Sequence, residues 1–185
     1  MNTKSKQSGF TLIELIVYIA IAMIVLISAT GIIWNIFSSN LRAQKTREVY
    51  TISRQIMSEL TKQIHSAEDV ITASSNFNTN PGTLTLDFPG GNTNKIFDTY
   101  EKTISINGRE ISITKLRLTE GSDAPIDLSS DQVTINNFTL ENLTYSGENK
   151  NINISLNVST INPDNDSDYD ISLDLETSVS VKKDT

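Results

Sequence analysis

The densest run of acidic side chains is Asp164-Asn165-Asp166-Ser167-Asp168-Tyr169-Asp170. Calcium takes about six to eight oxygen ligands, and alternating carboxylates can offer several from one loop. Counted from Asp164, however, the position that an EF-hand gives to glycine is Tyr169, and the position of its closing glutamate is Leu175. Like charges in one loop repel into solvent, so a solvated hairpin connection is the preferred reading and calcium the alternative. His65 has no second histidine and no cysteine to complete a metal site, and reads as a surface or helix-edge residue. No GxSxG, HExxH or phosphate-cradling glycine loop is present, so neither catalysis, a resident metal nor a cofactor is expected. Asn137-Phe138-Thr139, Asn142-Leu143-Thr144, Asn153-Ile154-Ser155, Asn157-Val158-Ser159 and Asn165-Asp166-Ser167 match the N-glycosylation acceptor pattern, which a chain this rich in Asn, Ser and Thr produces by chance. The charge that needs a physical reason is Glu14.

Glu14 sits in SGFTLIELIVYIAIAMIVLISATGIIW, which starts at Ser8. From Leu15 to Trp34 there are 20 residues without a formal charge. At about 1.5 Å per residue this matches a hydrocarbon core of roughly 30 Å, so the segment can span a membrane. A carboxylate well inside such a helix costs about 2.5–3.5 kcal/mol on insertion scales and persists only with compensation. One compensation is the positive end of the helix dipole. Another follows if the chain is cut after Gly9, because the new α-amine of Phe10 lies one helical turn from Glu14. Amine and carboxylate can then neutralise one another within a chain or between stacked subunits.

The leader MNTKSKQSG with Lys4 and Lys6, the junction Gly9-Phe10 and the following TLIELIVYIAI resemble the class III signal of type IV prepilins and pseudopilins. The resemblance covers residues 1 to about 37. It implies that a membrane-bound aspartic prepilin peptidase cuts after Gly9 on the cytoplasmic side, that Phe10 is N-methylated, and that Glu14 guides assembly. The partners implied are that peptidase, the membrane and other pilin or pseudopilin subunits. The implied route is a single-pass inner-membrane protein that ends in an extracytoplasmic filament. Lys4 and Lys6 on one flank, with Arg42, Lys45 and Arg47 on the other, leave orientation undecided by charge, so the C-terminal bulk is placed outside by resemblance alone. One departure is the mid-span proline of many major pilins, replaced here by Gly31 preceded by Thr30. The ending Thr177-Ser178-Val179-Ser180-Val181-Lys182-Lys183 resembles the final strand of minor pilins and J-type minor pseudopilins.

Beyond Phe37 the pattern becomes one-sided. Val49, Ile52, Ile56, Leu60, Ile64, Ala67 and Ile71 step by three or four residues, which predicts an amphipathic continuation to about Ala73. From Thr83 the period becomes two. Thr83–Phe88, Thr103–Ile106, Ile111–Leu118, Val133–Ile135, Phe138–Tyr145, Ile152–Val158 and Ile171–Val181 read as strands. Asn107-Gly108 reads as a type I′ hairpin turn. The shift in apolar spacing from Ile111 and Ile113 to Leu116 and Leu118 suggests a bulge near Thr114-Lys115. The expected organisation is therefore α+β, a long helix packed on an antiparallel sheet. Its segments are a leader over 1–9, a membrane or filament-core helix over 10–37, an amphipathic half over 38–73 and a β-rich extracytoplasmic domain over 74–185.

Fifteen basic against 22 acidic side chains give a net charge of −7, which argues against nucleic-acid binding. The leading functional reading is a structural filament subunit, a minor pilin or pseudopilin. The alternatives are a membrane-anchored adhesin or binding module that does not polymerise, and an exported β-rich enzyme for which no site is recognisable.

Overall fold

The computed structural model describes residues 11–89, 94–145, 150–164 and 166–181. They form one long helix followed by antiparallel strands, the expected α+β order. The chain divides into two compact units, residues 1–43 and 44–185.

The first unit contains the leading part of helix α1 (Leu12–Ser66), which runs unbroken through Gly31. Almost every described side chain here is exposed, whatever its position around the helix. A helix that is apolar all round belongs inside something larger than itself.

Within the second unit α1 becomes one-sided. Its buried residues are Val49, Ser53, Ile56, Leu60, Gln63 and Ile64, a stripe at helical spacing. The two polar members are satisfied locally: the Ser53 hydroxyl donates to the Val49 carbonyl at 2.6 Å, and the Gln63 amide donates to the Glu59 carboxylate at 2.6 Å. The helix stops at Ser66, short of the expected Ala73. The Glu68 N–H instead donates to the Asp87 carbonyl at 2.8 Å, and the Ile71 N–H to the Thr85 carbonyl at 2.9 Å. Ala67 and Val70 keep the apolar spacing and are buried, but pairing with a strand satisfies backbone groups that a longer helix end would leave open.

Strands β1 (Asp69–Val70), β2 (Leu84–Asp87), β3 (Lys95–Ile106), β4 (Arg109–Glu120) and β5 (Ile126–Asp127) form a five-stranded sheet in chain order. Strands β6 (Val133–Asn142), β7 (Asn151–Thr160) and β8 (Ser172–Ser180) form a second, three-stranded sheet. The single sheet of the sequence reading is thus two, both antiparallel. Asn107 and Gly108 have φ of 52° and 78°, the positive pair that a type I′ turn requires between β3 and β4.

No bulge interrupts β4. Its register with β3 is continuous from Lys95 opposite Glu120 to Ile106 opposite Arg109. The apolar spacing changes because the strand buries different faces at its two ends: Ile113 shares a face with Lys115, whereas Leu116 and Leu118 lie on the other. The bulge is in β6, between Ile135 and Asn137, and it joins the two short expected strands into one.

Val49, Ile56, Leu60 and Ile64 of α1 meet Leu84, Leu86, Phe97, Leu116 and Leu118 from one sheet and Phe138, Leu140, Ile152, Ile154 and Leu156 from the other in one core. Fully burying each such side chain contributes about 1.5–3 kcal/mol. The loop before β2 is bound to β6: Asn78 N–H donates to the Leu140 carbonyl at 2.8 Å and Gly82 N–H to the Phe138 carbonyl at 2.7 Å. A Cβ at position 82 would lie 3.1 Å from that Phe138 oxygen and 3.3 Å from Leu140 Cδ1. Gly82→Val is therefore expected to lower the unfolding free energy by about 1–3 kcal/mol, measured by urea denaturation of the full chain in detergent. Gly31→Ala, whose added Cβ would meet nothing within 4 Å, is expected not to lower it, since alanine favours a helix interior over glycine.

Candidate functional site

Gly9 and Phe10 lie outside the described residues; Thr11 and Glu14 do not. Thr11 stands immediately before the first helical residue, Leu12. Its carbonyl accepts the Leu15 N–H at 3.2 Å and its hydroxyl accepts the Glu14 N–H at 3.4 Å, the geometry of an N-cap. Thr11-Leu12-Ile13-Glu14 is thus one half of a capping box, with glutamate at the third helical position. The Thr-x-x-Glu spacing was legible in the sequence as a helix start and was not used there. Glu14 lies exposed in the first turn, where the dipole favours a carboxylate by about 0.3–1 kcal/mol. That is less than the roughly 2.5–3.5 kcal/mol cost of carrying the charge into a membrane, so the dipole alone does not offset burial.

Below Glu14 the helix offers a continuous apolar surface. Exposed residues include Leu12, Ile16, Ile24, Ile27 and Trp34, the last at 76%. α1 is long and apolar enough to cross a membrane, and its most apolar window is entirely unburied. Soluble monomers seldom expose more than a few hundred Å² of contiguous apolar surface. Two hydroxyls within the span are bonded to the helix itself, Ser28 to the Ile24 carbonyl at 2.9 Å and Thr30 to the Ile27 carbonyl at 2.8 Å, and just beyond it Ser38 bonds the Trp34 carbonyl at 3.1 Å.

The acidic loop is divided among separate tasks. Asp164 pairs with Arg109 at 3.2 Å, and Asp166 accepts the Asp168 N–H at 3.0 Å to cap a short 3-10 helix. Among the described residues no three or more His, Cys, Asp or Glu converge as metal ligands. His65 is exposed in the last turn of α1, with Nδ1 3.4 Å from the Ser180 carbonyl. Asn137, Asn153 and Asn157 alternate with buried Phe138, Ile154 and Val158. Strand alternation with Asn and Ser or Thr on the outer face is enough to produce those acceptor matches.

The constellation that sequence reasoning missed is on the outer face of the first sheet. Lys115 is 3% exposed, its ammonium 2.8 Å from Asp127 and 2.5 Å from Asp131. Lys102 also bonds Asp131, at 2.8 Å, and the Tyr100 hydroxyl donates to Asp127 at 2.9 Å. Tyr100 lies directly opposite Lys115 in the β3–β4 register. Burial pushes the Lys115 pKa down, but its bonds to the two carboxylates outweigh this and leave it above the usual 10.5. Burial pushes Asp127 up, but the bonds from Lys115 and Tyr100 hold it below 3.8; the bond from Lys102, then that from Lys115, does the same for Asp131. The only advance sign was a lysine in an apolar-flanked strand, and its partners come from the two-residue strand β5 and the loop after it, neither of which periodicity places.

A family model, the prokaryotic N-terminal methylation motif, matches residues 4–30. No match was found among curated proteins or among solved structures.

The ion network makes a pH-dependent contribution. The carboxylates are depressed, so their stabilisation is complete above their usual pKa and lost as pH falls through the lower folded values; the ammonium is raised, so its share is lost only as pH rises past 10.5. Lys115→Met is expected to cost about 1–2 kcal/mol at pH 7, less than a fully buried pair because Asp127 and Asp131 are partly solvated. In urea denaturation across pH, its difference from wild type should shrink below pH 3.8.

Proposed function

We propose, from the premise that this chain is type IV pilin-like in its class III signal and its α+β architecture, that it is a structural subunit, a minor pilin or pseudopilin, of a type IV pilus or type II secretion-like filament. The observation that carries the reading is a methylation motif leading into a helix that is apolar on every side yet has a carboxylate in its first turn. Prepilin peptidase removes residues 1–9, the Phe10 amine is methylated, and the shortened chain waits as a single-pass protein with its C-terminal domain outside the cytoplasm. Apolar helices then pack together, and Glu14 pairs with the terminal amine of a neighbour. That pairing supplies the compensation that the helix dipole is too weak to give, and a misplaced subunit leaves an unpaired charge in an apolar fibre. In this role the protein is the substrate of processing and is not itself an enzyme.

The helix dipole does give the Glu14 carboxylate a local task in the first turn, and that favours a second reading: a single-span anchored binding module that forms no polymer. Position 14 separates the two. Glu14→Ala is expected to insert at least as well as wild type while its yield in sheared filaments falls by an order of magnitude or so; unaltered incorporation would favour the anchor. Mass spectrometry of protein from peptidase-containing cells is expected to find Phe10 as the methylated first residue, and a Gly9→Leu chain to keep its leader. Wild-type chains that retain residues 1–9 would overturn the filament reading.

A further inference from the structure

Between α1 and β8 lies an open groove of about 590 Å³. Met57 and Leu175 give it an apolar floor, and Arg54, Lys62 and His65 stand around it; no carboxylate lines it. β8 is the edge strand of its sheet. A second β8 laid along that edge, parallel and in register or antiparallel about Leu175, would bring Asp174 and Glu176 beside carboxylates of the copy, a like-charge pairing that disfavours such an occupant.

The complement to this groove is carried elsewhere on the same chain. At the start of β5, just past the turn from β4, Ile126 is 60% exposed, with exposed Asp123 of the turn and Asp127 of β5 on either side of it in sequence. The turn is fixed at several points. Gly121, at φ 55°, donates its N–H to the Asn94 carbonyl at 2.8 Å, the Asp123 N–H donates to the Glu120 carbonyl at 2.9 Å, and Asp127 is held by Lys115 and Tyr100. The ion network therefore presents Ile126 without the ordering cost that a mobile loop would carry on docking. Groove and turn belong to different sheets.

We propose that the acidic Ile126 turn of one subunit docks into the cationic α1–β8 groove of a second copy of this chain. The aliphatic side chain covers Met57 and Leu175, and the Asp123 carboxylate faces Lys62, which makes the contact complementary in both polarity and charge. Because the two surfaces differ, the contact is heterologous and repeats in one direction instead of closing a dimer. Even a low-abundance subunit would then enter a filament in runs of consecutive copies. The inference rests on the filament reading and names which surfaces of the globular units meet.

The chain has no cysteine, so an introduced pair can be read without background. Full-length chains bearing both Ser58→Cys in the groove and Ala124→Cys in the turn are made in filament-producing cells, oxidised, sheared, and run on a non-reducing gel. A disulfide forms only when the two Cα atoms come within about 7 Å. The expected result is a ladder of dimers, trimers and higher multiples, absent from either single variant. Lys62→Glu should weaken the ladder several-fold, and Asp123→Lys added to it should restore it. Processed double-cysteine chains present in sheared filaments without a ladder would overturn this contact and leave the filament reading standing. Linkage into one fixed band that is not a multiple of the subunit would overturn the second copy as occupant. Absence of the unsubstituted chain from every sheared fraction would overturn the filament reading and this contact with it.

Discussion

Burial of one face of α1 is the constraint on which the globular unit depends. Val49, Ile56, Leu60 and Ile64 are each at most 1% exposed, and both sheets bring their largest apolar side chains to them. Phe97 and Leu118, paired across β3 and β4, come from one sheet; Phe138 and Leu156, paired across β6 and β7, come from the other. Two sheets of five and three strands are thus held by one shared layer, and the loop through Gly82 adds a backbone link to β6. The same helix that the first unit leaves exposed on all sides is, in the second, the centre of packing.

The long apolar run, the amphipathic stripe and the alternation in β7 were legible because burial there follows the 3.6 and 2.0 periods. The helix end was not, since Ala67 and Val70 satisfy helical spacing while the backbone of residues 68–71 bonds to β2. The first half of β3 was missed for a related reason. Between Lys95 and Lys102 only Phe97 is buried; Asp98, Tyr100 and Lys102 share a face that charge pairing stabilises, so no apolar alternation marks the strand. β4 misled in the opposite direction, because its apolar residues change face at Lys115 and mimic an inserted residue. In each case a non-local partner decided the outcome.

At the helix start, residue type and spacing pointed to Glu14 as the group that needs an explanation, and the fold adds its N-cap. The comparison of magnitudes then separates two roles. A cap and a dipole suffice for a carboxylate at a wet helix end, whereas a carboxylate among packed apolar helices needs a full counter-charge. Gly9 and Phe10 were legible only as a junction in a motif, and they lie outside the described residues.

Ser28, Thr30 and Ser38 bend their hydroxyls back onto carbonyls of their own helix. Because these three bonds are internal to the helix, they persist whether lipid or other helices surround it. Such a segment can be withdrawn and reinserted with little enthalpic penalty from its alcohol groups. Glu14, the one formally charged side chain between Phe10 and Trp34, is then the group in the span whose energy responds most to what surrounds it.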